Sequence, residues 1–337
     1  MSSTSPGPRA GNRHVIASVR DVPADGTYTA VLGIAARQYG LLTWEQALRT
    51  GLTWSDIRRF LRAGQWGHPL PRVYSVRALL SVDDPEQHLR TKVMAAQLAL
   101  GPASFAGAET AAHLWRMQGL PRWDGETVHM VLPALGAQRH IRGIVLHTWD
   151  TLPDEVTGID EVLRLTTPGR TLRDTLLRVG RDTAVCLMDS VLNQRLVGEE
   201  EFEHLESANR GRRGCVRVRP WWHLADGRSQ SPLETRIRLI CTDGGLPPTE
   251  LQRPFYDAGG SLIGVVDFWW EGLRVIGEAD GIGPHSLPEV LARDRVRQNG
   301  LQAWHPGTRL VRFTWQDLKR PQYVLATLIK AGATSSP

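Results

Sequence analysis

An aspartate stands inside one of the most apolar stretches of the chain, Ile263-Gly264-Val265-Val266-Asp267-Phe268-Trp269. Burying a carboxylate without a partner costs on the order of several kcal/mol, so a fold that keeps one there has to bring something to meet it. The next strand-like run, 273–279, follows a connection of only Trp270-Glu271-Gly272, which favours antiparallel neighbours, and it carries Glu278 and delivers Asp280. Residues two apart in a strand point to one face, so Glu278 and Asp280 share a side and Asp267 comes to lie across from them. Three acids gathered there repel one another, and a hard divalent cation, Mg²⁺ or Mn²⁺, is the natural relief. The other reading of 278–280, a strand ending in an exposed acidic turn, stays open at this point.

The surrounding elements have a definite order. Ser231-Pro232-Leu233-Glu234 opens a helix with an apolar stripe of Leu233, Ile237, Ile240 and Cys241, stopped by Gly244-Gly245. A strand over 251–256, a turn at Asp257-Ala258-Gly259-Gly260, the two acidic runs, a helix around 287–298, a strand over 309–315 and a terminal helix over 322–329 follow. Glu234 has two readings, because it is also the third residue after Ser231, where a helix-capping carboxylate belongs.

This order, with Ser231-Pro232-Leu233-Glu234, Val266-Asp267-Phe268, Glu278-Ala279-Asp280-Gly281, Asp294-Arg295-Val296-Arg297, Leu301 and Val311-Arg312-Phe313-Thr314-Trp315, resembles the very-short-patch-repair-like branch of the PD-(D/E)XK nucleases. The resemblance implies Asp267 and Glu278 as metal ligands, Asp280 as a nearby carboxylate and Glu234 as an outer helper, in a site that hydrolyses phosphodiesters. Two positions depart from that pattern. Asp280 stands where the signature lysine belongs, and no lysine occurs between Lys92 and Lys319. Arginine stays protonated, so Arg293, Arg295 or Arg297 can only stabilise charge. Pro284 fills the place of a histidine four residues beyond the aspartate, with His285 one further on.

Near the start, 31–39 has helical spacing and stops at Gly40; Thr43 then precedes Trp44-Glu45-Gln46 as a capping box, and Thr53 or Ser55 opens a second short helix. That helix sets Trp54, Ile57, Phe60 and Leu61 against Arg58, Arg59 and Arg62, and the Pro-containing alternating stretch 66–76 follows as a β-wing. Such a second helix presents Arg58, Arg59 and Arg62 to a phosphate backbone or groove; the plainer reading is a solvated arginine face. The run from Ala36 to Thr43, with Arg72-Val73-Tyr74, resembles the winged-helix domain of AbiEi-family antitoxins, which implies a DNA-binding, autoregulatory module.

The middle alternates helical and strand-like segments, and its histidines His113, His129 and His147 have no metal spacing, so no site is assigned there. The basic run over 209–219 reads as a connector or as a phosphate-contacting arm through Arg212 and Arg213. A length of 337 residues suggests two or three domains at roughly 100 to 200 residues each. The expected fold class is a multidomain α+β and α/β chain. A polar tail covers 1–27, an N-terminal winged helix-turn-helix 28–80, a mixed α/β middle 81–208, a basic linker 209–230, a C-terminal restriction-endonuclease-like PD-(D/E)XK domain 231–330, and a tail 331–337. Three cysteines without C-x-x-C spacing, no apolar run long enough to span a membrane and no signal-like start point to a reducing cytoplasm. A net charge of +5 leans toward a polyanion. The expected function is metal-dependent DNA cleavage in a toxin-antitoxin or phage-defence setting, with DNA and a cognate toxin or a second copy as partners. The rival is an antitoxin-like regulator that keeps the nuclease fold without turnover.

Overall fold

A computed structural model describes residues 25–81, 83–133, 140–281 and 288–333. The chain is mixed α/β and divides into two compact units, the first ending at Ser81.

The first unit contains α1 (Asp25–Arg37), β1 (Leu41–Thr43), α2 (Trp44–Arg49), α3 (Trp54–Arg62), β2 (Trp66–Leu70) and β3 (Val73–Val76). Both short helices start on reciprocal caps. Thr43 Oγ1 accepts from the Gln46 N–H at 3.2 Å while Gln46 accepts from the Thr43 N–H at 2.8 Å. Thr53 and Asp56 repeat the device at 3.2 and 2.9 Å, which settles the second cap on Thr53 rather than Ser55. Ile57 and Phe60 then close on Val31, Leu42, Trp66 and Tyr74, over an antiparallel sheet ordered β1-β3-β2. Helix α1 begins at Asp25, inside the expected tail over 1–27.

The second unit opens with α4 (Pro85–Leu100), β4 (Phe105–Ala106), α5 (Ala108–Leu114), β5 (Val128–Val131), β6 (Ile144–His147), β7 (Val156–Ile159) and β8 (Leu163–Thr166). These strands form a sheet ordered β6-β5-β4-β8-β7. Helices α6 (Pro168–Leu176), α7 (Arg181–Asn193) and α8 (Glu199–Ala208) follow, α6 with its proline at the first helical position. The expected linker over 209–230 is folded: α9 (Cys215–Val218) runs into a 3-10 turn over Arg219–Leu224, and Val218 and Trp222 are buried with Leu187, Leu205 and Leu239. The arginines that make this segment read as a connector flank apolar residues that a core needs.

The last part contains α10 (Pro232–Asp243), β9 (Glu250–Tyr256), β10 (Leu262–Trp270), β11 (Val275–Ala279), α11 (Pro288–Trp304), β12 (Arg309–Phe313) and α12 (Pro321–Ala333). Helix α12 thus takes in the first residues of the expected tail over 331–337. The sheet is ordered β12-β11-β10-β9, antiparallel except for the parallel pair β11/β12. On one face Phe268, Trp270, Val275 and Phe313 pack with Leu233 and Ile237 of α10 and Val324 and Leu328 of α12. On the other, Trp269 and Ile276 pack with Leu301 of α11. Gly277 allows the first face to close, since a Cβ there would come within 2.7 Å of the Trp270 ring. Among the described residues no helix is long and apolar enough to cross a membrane.

Helix α10 is tied to the middle of the chain through Asp189 of α7. Its carboxylate accepts from Arg238 Nη2 at 2.6 Å, the Thr235 hydroxyl at 2.7 Å and the Asp226 N–H at 2.7 Å. The middle and C-terminal stretches, expected as separate domains, therefore belong to one compact unit.

Candidate functional site

Strands β10 and β11 pair from Trp270↔Val275 to Phe268↔Gly277 and then part, one residue short of Asp267 and Glu278. The Asp267 carboxylate fills the opening. Its Oδ2 accepts from the Ala279 N–H at 2.8 Å, a donor this ladder no longer uses. Its Oδ1 accepts from Gln252 Nε2 at 3.3 Å, and the same nitrogen donates to Glu234 Oε2 at 3.0 Å. Gln252 lies across from Asp267, between the register pairs Leu251↔Phe268 and Arg253↔Val266. Its φ of 51° is left-handed, a conformation that costs a non-glycine residue about 1–2 kcal/mol and collects at functional sites.

Glu234 is the capping carboxylate of α10, and it also reaches the opening at Asp267 through Gln252. Ser231 Oγ accepts from the Glu234 N–H at 3.2 Å, and the Glu234 carboxylate accepts from the Ser231 hydroxyl and the Gln230 N–H, each at 2.8 Å. The cap fixes the first turn of α10, and the turn points the same carboxylate at Gln252. Burial pushes the Glu234 carboxyl above its ordinary range, with the Asp267 charge adding to the rise. Burial likewise pushes Asp267 up and Glu278 adds to it, against the hydrogen bonds from Ala279 and Gln252. These carboxyls share neutral donors, and Asp267 makes no direct ion pair among the described residues.

Glu278 is 8 % exposed, and its charge is spent locally. Arg297 of α11 donates to Oε1 at 2.5 Å and to Oε2 at 2.9 Å, and Arg312 Nε stands 3.4 Å from Oε2. Asp280 does not join the expected triad of Asp267, Glu278 and Asp280. Strand β11 ends at Ala279, so the alternation that would aim Asp280 no longer applies; its side chain is 61 % exposed, and Arg312 Nε stands 3.9 Å from it. Among the described residues, no group of three or more His, Cys, Asp and Glu side chains is arranged to hold a metal ion. His285, expected nearby, lies outside the described residues.

The site thus assembles Glu234, Asp267, Glu278 and Arg297 from the expected set, and adds Gln252. Sequence reasoning missed Gln252 because nothing in Leu251-Gln252-Arg253 announces a left-handed residue within a strand.

The expected nucleic-acid residues fall into two groups. Arg58, Arg59 and Arg62 are all exposed on α3; Arg59 is drawn to Asp56 at 2.9 Å and lies over the Phe60 ring. Arg213 is exposed, but Arg212 is no phosphate arm. It donates to Asp174 at 2.5 Å and Asn209 at 2.9 Å, and Asp174 is also held by the buried Arg170 at 2.8 Å. A fully buried carboxylate such as Asp174 needs that second guanidinium where Glu155 already competes for Arg170.

The chain is 30 % identical over 245 residues to two uncharacterized proteins of Mycobacterium tuberculosis, Rv2248 and MT2308, a match that covers 72 % of this chain and 86 % of each relative. The crystal structure of the Rv2827c protein of the same organism superposes with a TM-score of 0.37 at 15 % identity, over 70 % of this chain and 90 % of that one, a likeness too slight to carry an argument. No protein-family model matches the sequence.

Proposed function

We propose that this chain, which belongs to the family of the uncharacterized Mycobacterium tuberculosis proteins Rv2248 and MT2308, is a divalent-metal-dependent DNA endonuclease whose chemistry sits at the opening between β10 and β11. One observation carries the reading. Glu234 and Asp267 turn oxygens 3.0 and 3.3 Å from a single amide nitrogen, and among the described residues neither carboxylate makes a direct ion pair. In this reading 231–330 is a PD-(D/E)XK-type domain and the first unit a winged helix that offers Arg58 and Arg62 to the DNA backbone.

The donors fit Mg²⁺ or Mn²⁺ in kind, since both are hard cations that take carboxylate and amide oxygens. Glu234 and Asp267 would hold the ion, with the Gln252 amide turned to present its oxygen. The ion would supply a water of lowered pKa and a counter-charge for the attacked phosphate. Around it, the Ala279 N–H fixes the Asp267 carboxylate, and the Ser231 cap fixes Glu234. Arg297 can bind and stabilise a phosphate but cannot accept a proton.

Supercoiled DNA incubated with the purified full chain in Mg²⁺ or Mn²⁺ tests this. Nicking that needs the metal and disappears in Asp267→Asn supports it. Salt-sensitive DNA binding without nicking supports the second reading, an antitoxin-like regulator acting with a cognate toxin or a second copy; the grip of Arg297 on Glu278 and the missing lysine favour that alternative.

A further inference from the structure

The stretch that reads as a connector in the sequence encloses a cavity of about 390 Å³, between the end of α8, α9 and the 3-10 turn that follows. Small-molecule sites run from roughly 300 to 1,000 Å³, so this one suits a small ligand. The buried Val218 and Trp222 give it an apolar floor, with Cys215 beside them, while Glu206, Arg210 and Arg219 stand at the rim.

The walls are braced from behind. Asn209, at the cavity, donates to the Arg173 carbonyl at 3.2 Å and accepts from Arg212 at 2.9 Å, and Arg212 reaches on to Asp174 at 2.5 Å. The Trp222 ring meets Phe202 edge-on at 5.1 Å. Gly211 turns the loop at the cavity with a φ of 79°, which favours glycine. A cavity held in this way is formed before any ligand arrives, so filling it costs little ordering.

The rim sets the charge of the occupant. The Arg210 side chain is exposed and makes no ion pair among the described residues; Arg219 Nε stands 3.7 Å from Glu206 Oε1, the two side chains being 80 % and 44 % exposed. An ion pair so open to water is weak and readily rearranged. Two guanidiniums face one carboxylate here, which suits an anion of a single charge, since Glu206 would repel the second charge of a phosphate monoester. A flat ring matches the rest, because tryptophan packs against rings and a guanidinium stacks on their faces.

We propose that this cavity is a binding site for a small aromatic carboxylate, whose ring lies on Val218 and Trp222 and whose carboxylate sits between Arg210 and Arg219. The site shares no residue with the opening at Asp267 and does not depend on the nuclease reading.

The test gives the purified full chain 2-naphthoate as the aromatic carboxylate, its uncharged amide as the matched control and adenosine monophosphate as the doubly charged rival. Cys215 is the reporter. Of the three cysteines, Cys186 and Cys241 are buried, and burial pushes both thiols up to about 12, whereas Cys215 is half-buried at the cavity. N-ethylmaleimide therefore adds once, at Cys215, as intact mass shows. 2-Naphthoate slows this addition saturably, and the amide needs about ten-fold more for equal protection. Arg210→Gln and Arg219→Gln, each shown to be folded by circular dichroism, narrow the gap between acid and amide, and the double variant closes it. In Cys215→Phe the new ring fills the cavity with both arginines in place, and calorimetry finds 2-naphthoate binding lost. Labelling that 2-naphthoate leaves unchanged, or equal protection by acid and amide in the wild type, overturns the proposal. Stronger protection by adenosine monophosphate than by 2-naphthoate overturns it in favour of a phosphate site.

Discussion

Two aspartates of the second unit, the buried Asp189 and the half-buried Asp267, make opposite bargains with their surroundings. Asp189 in α7 receives Arg238 at 2.6 Å together with a hydroxyl and a backbone N–H at 2.7 Å. Burial pushes its carboxyl up to about 6 against the pull of Arg238, so near neutral pH the pair is charged on both sides and matched. Asp267 in β10 receives one N–H at 2.8 Å and a distant amide at 3.3 Å, and its charged neighbours include the acids Glu234 and Glu278. The first arrangement satisfies a fold. The second sets two carboxylates around one neutral amide donor, the arrangement on which the proposed metal site rests.

If that contrast is right, removing the two acids has different consequences. Asp189→Ala strands Arg238 in the interior and should cost about 3–5 kcal/mol, read from urea unfolding. A loss below about 1 kcal/mol would erase the distinction. Gln252→Ala takes away the donor that Glu234 and Asp267 share and should cost about 1–2 kcal/mol near pH 7, with a smaller loss near pH 4 where the carboxyls protonate. Asp267→Asn is the smallest and the most telling. Its native carboxyl is raised in the folded state, so the stability it brings is present below its ordinary value of 3.8 and is lost as pH rises through the raised one. The asparagine variant should therefore equal or exceed the wild type by up to about 1 kcal/mol near pH 7 and lose that advantage near pH 4, as thermal melts at the two pH values would show.

The sequence was informative where the physics is local. Thr43 with Gln46, and Thr53 with Asp56, start their helices through contacts three residues apart, and Ser231 with Glu234 announces α10 in the same way. The acids at 267 and 278 were legible because carboxylates in apolar strands demand an account. Asp280 was misjudged because its aim depended on how far β11 continues, and the pairing of Glu278 with Arg297 depended on where α11 docks, which no local pattern encodes. Gln252 was hidden by its backbone, and Arg212 by basic neighbours that disguised Val218 and Trp222 as parts of a connector.

Helix α10 carries Glu234 in its first turn, and one residue on Thr235 is fastened to Asp189, with Arg238 fastened to it a turn later. A fragment starting at Ser231 would retain Glu234, Asp267, Glu278 and Asp280 yet lose Asp189, the post against which that turn is braced. Such a fragment should hold the first turn of α10 less firmly than the intact chain does.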